Sequence, residues 1–208
     1  MKDFTSALLS GMKALDLLSS EAAIPKLQDY LSLMVKWNKT YNLTAIREPE
    51  KMLTHHLLDS LAVVPYVSGK TLIDVGSGAG LPGIPIALAK PDCEVSLLDS
   101  NQKKTTFLRQ VCIQLAIPNV TVNCERAESW QPPQKFEAVI SRAFSDLSDF
   151  VRVAAHLCLP GGVMLAMKGV YPHEEIRQLS SNVNVERVIP LRVPELEAER
   201  HLVVMRVN

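Results

Sequence analysis

The stretch Thr71-Leu-Ile-Asp-Val-Gly-Ser-Gly-Ala-Gly-Leu-Pro-Gly83 decides the architecture. Its first five residues, TLIDV (71–75), form a short, near-continuous apolar run, which suits a strand buried on both faces. The run ends in glycines, which let a backbone turn tightly and approach a ligand closely. Open α/β sheets bind ligands outside the carboxyl ends of their strands, so Gly76, Gly78, Gly80 and Gly83 mark a binding loop.

Downstream of this loop, strands and helices alternate. The runs EVSLLD (94–99), NVTVNC (119–124), FEAVIS (136–141) and GVMLAM (162–167) predict strands, with helices expected over 83–90, 101–116 and 146–158. This spacing implies a mainly parallel, doubly wound sheet with right-handed crossovers. VERVIPL (185–191) and HLVVMRV (201–207) have only the loop 192–200 between them, so they read as an antiparallel pair closing the edge of a seven-stranded sheet. Upstream, three amphipathic segments read as helices. Their apolar residues are Phe4, Leu8, Met12, Leu15 and Leu18; then Ile24, Leu27, Leu31 and Met34; then, after Pro49, Met52, Leu53, Leu57, Leu61 and Val64. WNKTYNLTAIR (37–47) reads as the connector before the third. No repeat or linker-like stretch interrupts the chain. The expected organisation is a helical extension, 1–65, packed on an α/β domain, 66–208.

Composition narrows the class. With 208 residues, 47% apolar and 21% charged, the chain has the length and profile of one sizeable soluble domain with a real core. No apolar run approaches the roughly eighteen residues of a membrane helix. The opening MKDFTSALLSGMKALD carries acids and lacks the apolar core of a secretory signal. Cys93, Cys112, Cys124 and Cys158 form no C-x-x-C pair and read as free thiols in a reducing cytoplasm, with no zinc site. Lys+Arg and Asp+Glu both total 22. Neutrality argues against a protein that grips nucleic acid by bulk attraction, and leaves room for a local basic patch.

The chemistry begins with what the glycine loop excludes. Leu81 stands where the third glycine of G-x-G-x-x-G belongs, which disfavours a nicotinamide site. Asp74, two residues before the first glycine, would repel a pyrophosphate but suits a ligand bearing a cationic amine and sulfonium. Asp99, 23 residues after Gly76, ends the next strand, where an acid accepts hydrogen bonds from ribose hydroxyls; the alternative is a cap on the helix starting near Asn101. Arg126-Ala-Glu128 flanks the same crevice and is placed to bracket an adenine. A glycine loop of this kind points to a class I, Rossmann-like methyltransferase.

Several segments then share one family's pattern. IDVGSGAGLPGIPIAL, LLDSNQKKTTFLRQV, RAESW, VISRAF and ERHLVV resemble, in order and spacing, the RsmG (GidB) family, and WNKTYNLTAIRE and HHLLDSLAVVPY resemble its leader. The family's members are bacterial enzymes that use S-adenosyl-L-methionine, releasing S-adenosyl-L-homocysteine, to methylate N7 of a guanine in 16S rRNA. The resemblance implies cofactor contacts at Gly76, Leu81, Ala127, Glu128 and Arg142, to which the loop reading adds Gly78 and Asp99. It also implies a partner, the small ribosomal subunit, and a target, the guanine conventionally numbered 527 in the 530 loop. The chain departs from the family at Thr54-His55-His56, where many members carry Arg-His, so one cation of an RNA-facing stretch is absent.

Guanine N7 offers an in-plane lone pair and no proton, so positioning should dominate over acid–base chemistry. In keeping with this, neither Asn-Pro-Pro-Tyr nor Cys-Pro follows the fourth strand; Ser141-Arg142-Ala143-Phe144 stands there. Arg142 is the catalytic candidate: it could hydrogen-bond guanine O6 or hold the cofactor, or pair with Glu128 or Asp146. Phe144 could stack on a base or fill the core. Candidate phosphate contacts are Lys36, Lys39, Arg47, Lys103, Lys104, Arg109, Lys168 and Arg200, whereas His55, His56 and His201 read as structural. Two other readings stay open: a small-molecule methyltransferase, and a ribosome-assembly factor that binds an adenosyl ligand.

Overall fold

A computed structural model describes residues 3–144 and 146–207. The chain begins with α1 (Thr5–Ala14), a 3-10 turn (Leu18–Ala23) and α2 (Ile24–Tyr41). Pro25 sits in the first turn of α2, where its missing N–H is no loss. α2 runs on through residues 37–41, which the sequence pattern assigned to a connector, and stops at Asn42 with a left-handed φ of 48°. The third helical segment is not uniform. It opens as α3 (Pro49–Met52), widens into a π-helical turn (Leu53–Leu58) and closes as α4 (Asp59–Leu61). π-Helical turns are rare and gather at functional sites.

The sheet segments follow in the expected order: β1 (Thr71–Val75), α5 (Gly83–Ala89), β2 (Glu94–Leu98), α6 (Gln102–Gln114), β3 (Val120–Asn123), β4 (Phe136–Ser141), α7 (Leu147–Ala154) and β5 (Cys158–Lys168). A short α8 (His173–Arg177) precedes β6 (Val183–Pro190) and β7 (His201–Val207). α8 was not foreseen because its five residues include none that is buried, so it carries no apolar period. The strand order is β3-β2-β1-β4-β5-β7-β6. β1 to β5 pair in parallel, and β7 inserts antiparallel between β5 and β6.

Side chains alternate across the strands. Leu72, Leu97, Ile140, Leu165 and Leu202 join one core with α5, α6 and the N-terminal helices, whose Leu8, Leu27 and Leu57 are fully buried in it. Ile73, Val75, Val139, Met164 and Val203 face the other way, against Leu147 and Phe150 of α7. At the centre, β2 and β3 lie to one side of β1, and β4 and β5 to the other. The order of the sheet reverses there, and the crevice at the carboxyl ends of β1 and β4 is the place such sheets offer a ligand.

Candidate active site

Three backbone donors fasten the loop after β1 to β2. The N–H groups of Gly76 and Ser77 donate to the Leu98 carbonyl at 2.8 and 3.1 Å, and Gly78 N–H donates to Asp99 Oδ2 at 2.8 Å. Gly76, Gly78 and Gly80 all hold left-handed φ, at 71°, 58° and 94°. Their surroundings differ. A Cβ on Gly80 would meet Ile84 at 2.6 Å and Leu108 at 2.8 Å, so that glycine serves packing. A Cβ on Gly78 would meet nothing nearer than 3.9 Å, so this glycine leaves its side of the loop open.

The loop is also held from beneath. Asp74 is fully buried; its Oδ2 accepts from Gly83 N–H at 2.8 Å, and its Oδ1 has no partner among the described residues. Burial pushes this carboxyl up to about 7, partly offset by the Gly83 hydrogen bond and by nearby Arg142. Tyr30 of α2, fully buried, donates its hydroxyl to the Ala79 carbonyl at 2.6 Å. A residue of the helical segment thus braces the glycine loop.

Two hollows of about 180 Å³ each meet at Gly76. The first is lined by Asp99, Ala127, Glu128 and Phe144, the second by Thr44, Ser77, Gly78, Leu81 and Arg142. All seven residues picked from the sequence therefore line one or other of two hollows that share Gly76. Asp99 does not cap α6: Asn101 does, accepting from the N–H groups of Lys103 and Lys104, while Asp99 Oδ1 accepts from Asn101 N–H. Each Asp99 oxygen has a free lone pair for a hydroxyl. Phe144 packs on Phe150 with ring centres 5.3 Å apart while lining the first hollow. An adenosyl ligand with a methionine tail fits this donor set: acids at one end, and at the other an open glycine backbone and a buried Ser77 hydroxyl that has no partner among the described residues.

Arg142 pairs with neither Glu128 nor Asp146. Asp146 caps α7. The Nη1 of Arg142 donates to the His55 carbonyl at 3.0 Å and to Asp59 Oδ2 at 3.1 Å, while Asp59 Oδ1 accepts from Arg200 Nε at 2.9 Å. Beyond Arg142 opens a cleft of about 390 Å³, lined also by His55, His56, Asp59, Lys168 and Arg200. Burial, reinforced by Arg142, lowers His56 to about 4, so its ring is neutral. Its Nδ1 faces the His55 carbonyl at 3.0 Å, which can only accept, so the proton sits on Nδ1 and Nε2 accepts from the Thr44 hydroxyl at 2.8 Å.

Of the candidate phosphate contacts, Arg200 and Lys168 reach this cleft, Lys168 paired with Glu175 at 2.8 Å. Lys104 lies with its Nζ 4.0 Å from the Cβ position of Gly78. Arg47 bonds Asn42, Arg109 reaches the Val122 carbonyl, and Lys36, Lys39 and Lys103 are exposed. Sequence reasoning missed Asp59, Thr44, Ser77 and Tyr30. For Asp59 a signal existed, a single acid inside the apolar run Leu57-Leu58-Asp59-Ser60-Leu61. The four cysteines are free, and among the described residues no group of three or more His, Cys, Asp or Glu could hold a metal. No helix among them is long and apolar enough to cross a membrane.

A mainly parallel seven-stranded sheet of this order, with a glycine loop after β1, defines a class I, Rossmann-like methyltransferase. The fold is similar to that of the glycopeptide N-methyltransferase MtfA, with a TM-score of 0.62 and 14% identity, covering 77% of this chain and 100% of that one. It is also similar to coclaurine N-methyltransferase bound to N-methylheliamine and SAH, with a TM-score of 0.57 and 13% identity, covering 78% and 59%. The GidB family model, rRNA small subunit methyltransferase G, matches residues 23–203. A relative from Chromobacterium violaceum, the ribosomal RNA small subunit methyltransferase G, is 56% identical over 202 residues, 97% of each chain. The chain belongs to the rRNA small subunit methyltransferase G family.

Proposed function

We propose that this protein transfers the methyl group of S-adenosyl-L-methionine to N7 of a guanine in 16S rRNA, the one numbered 527 in the 530 loop, within the cytoplasm. The observation that carries this reading is the position of Arg142, shared between the hollow beside the glycine loop and the cleft beyond it. The cofactor supplies an electrophilic methyl group on sulfur. Gly76, Gly78 and Leu81 would hold its methionine end, Asp99 its ribose, and Ala127 and Glu128 its adenine. In the transfer, N7 forms a bond to the methyl carbon as the carbon–sulfur bond breaks. The electron pair stays on sulfur, S-adenosyl-L-homocysteine leaves neutral at that atom, and the guanine gains a fixed positive charge.

No proton leaves N7, so no general base is required. That agrees with the groups around Arg142: the neutral His56 ring is engaged at both nitrogens. Arg142 uses only Nη1 on the protein among the described residues, which keeps N–H donors for guanine O6, adjacent to N7. Holding N7 in line with the methyl group is then the main catalytic work.

The test is transfer from labelled cofactor to small subunits isolated from a strain lacking this gene, followed by borohydride and aniline cleavage at the methylated base. Label on a ribose, on an exocyclic amine or on a non-RNA acceptor overturns the reading. The cofactor should also raise the melting temperature, by linkage worth about 2.7 kcal/mol at roughly a hundredfold excess over Kd, and NADH should not.

A further inference from the structure

Asp59 touches neither hollow of the crevice beside the glycine loop, yet both of its oxygens are committed to cleft-lining arginines. We propose that Asp59 is a positioning residue for methyl transfer: it sets the Arg142 guanidinium between the cofactor hollow and the cleft, and holds Arg200 on the cleft wall. The inference rests on the reading that this cleft receives the target guanine.

Three segments far apart in the chain converge on this carboxylate. Arg142 directly follows β4, 83 residues away, and Arg200 directly precedes β7, 141 residues away. The Asp59 side chain is 2% exposed, against 26% for Arg142 and 23% for Arg200. The acid is therefore the buried anchor, and the two cations are the parts that face the cleft. Asp59 follows directly on the π-helical turn, and the His55 carbonyl of that turn holds the same Nη1. The widened turn and the residue that follows it thus grip Arg142 together.

The charge arithmetic fits a binding role. One carboxylate between two guanidinium groups leaves one net positive charge at the cleft. Arg142 bonds the described residues through Nη1 alone, and Arg200 through Nε to Asp59 and Nη1 to the Glu199 carbonyl, so Nη2 of each remains for a nucleotide. Buried ion pairs add little net stability compared with apolar packing of the same volume. Fold stability alone is therefore a weak reason for this group, and the orientation of two arginines is a strong one.

The experiment compares Asp59→Glu, Asp59→Asn, Arg142→Gln and the double variants with the parent enzyme, measuring kcat and KM on small subunits, cofactor Kd and melting temperature. Asp59→Glu keeps the charge but lengthens the arm by one methylene; a displacement of about 1 Å should lower kcat at least tenfold while cofactor Kd changes less than about threefold. On the Arg142→Gln background neither Asp59 substitution should lower kcat further, because in the transfer step Asp59 acts through that arginine, whereas its hold on Arg200 should show in KM for the subunits. Should Asp59→Asn fail to fold, the cycle built on Asp59→Glu decides. A kcat within about twofold of the parent, or a loss that multiplies with that of Arg142→Gln, overturns the inference. A parent enzyme that binds cofactor but leaves RNA unmethylated overturns the underlying reading, and the inference with it.

Discussion

Gly78 and Asp99 share one hydrogen bond at the point where the glycine loop meets the end of β2. Their substitution should have separable effects. Gly78→Val places a β-branched side chain at a φ of 58°, a strain of about 1–2 kcal/mol, yet its Cβ faces open space. The variant should fold, with a reduced melting temperature, and lose cofactor binding by at least about a hundredfold, since the new side chain occupies the ligand side of the loop. Asp99→Ala should weaken binding by about tenfold, equivalent to one lost hydrogen bond of about 1.4 kcal/mol. Titration calorimetry reads both; normal binding by the two variants would put the site elsewhere.

At the scale of elements, the N-terminal helices act on the site as well as covering one face of the sheet. α2 sends Tyr30 beneath the glycine loop, and the π-helical turn sends the His55 carbonyl to Arg142. Tyr30→Phe would leave the buried Ala79 carbonyl without its donor. The expected cost is about 1–3 kcal/mol in urea denaturation, with weaker cofactor binding as the loop loses its brace. A variant as stable as the parent would show that β1 and β2 hold the loop without Tyr30.

For the whole molecule, two buried groups set opposing pH dependences. His56 titrates near 4 in the folded state against an ordinary 6.5, so the unfolded chain binds the extra proton between those values and stability falls on acidification through that window. Asp74 titrates near 7 against an ordinary 3.8, so the folded state binds the extra proton and stability falls as pH rises from about 4 to 7. The two effects oppose each other between about 4 and 6.5. Asp74→Asn should therefore unmask a stability that climbs with pH across that range, read by denaturation at each pH; an unchanged profile would remove Asp74 from the balance. Net charge carries the other prediction. With 22 basic and 22 acidic residues, RNA affinity should fall only gently with salt, with a log–log slope of about −2 for some three phosphate contacts. A slope several times steeper would reveal an extensive phosphate track.

The sequence by itself determined the sheet and the crevice. A strand buried on both faces must be an apolar run, and a backbone that turns back toward a ligand needs glycine, so both are written locally in residues 71–83. Asp99 follows directly on a strand end, and a parallel sheet brings such ends together; the family resemblance singled out Ala127, Glu128 and Arg142 in the loops after β3 and β4. Tertiary structure alone decided what Arg142 pairs with. Periodicity says which face of a helix is buried, not what a polar group on it will meet, so the meeting of Asp59, Arg142 and Arg200 depended on how the N-terminal helices dock on the sheet. The π-helical turn belongs to the same class: its hydrogen-bond pattern is set by what the turn packs against, and its residues read as an ordinary helix.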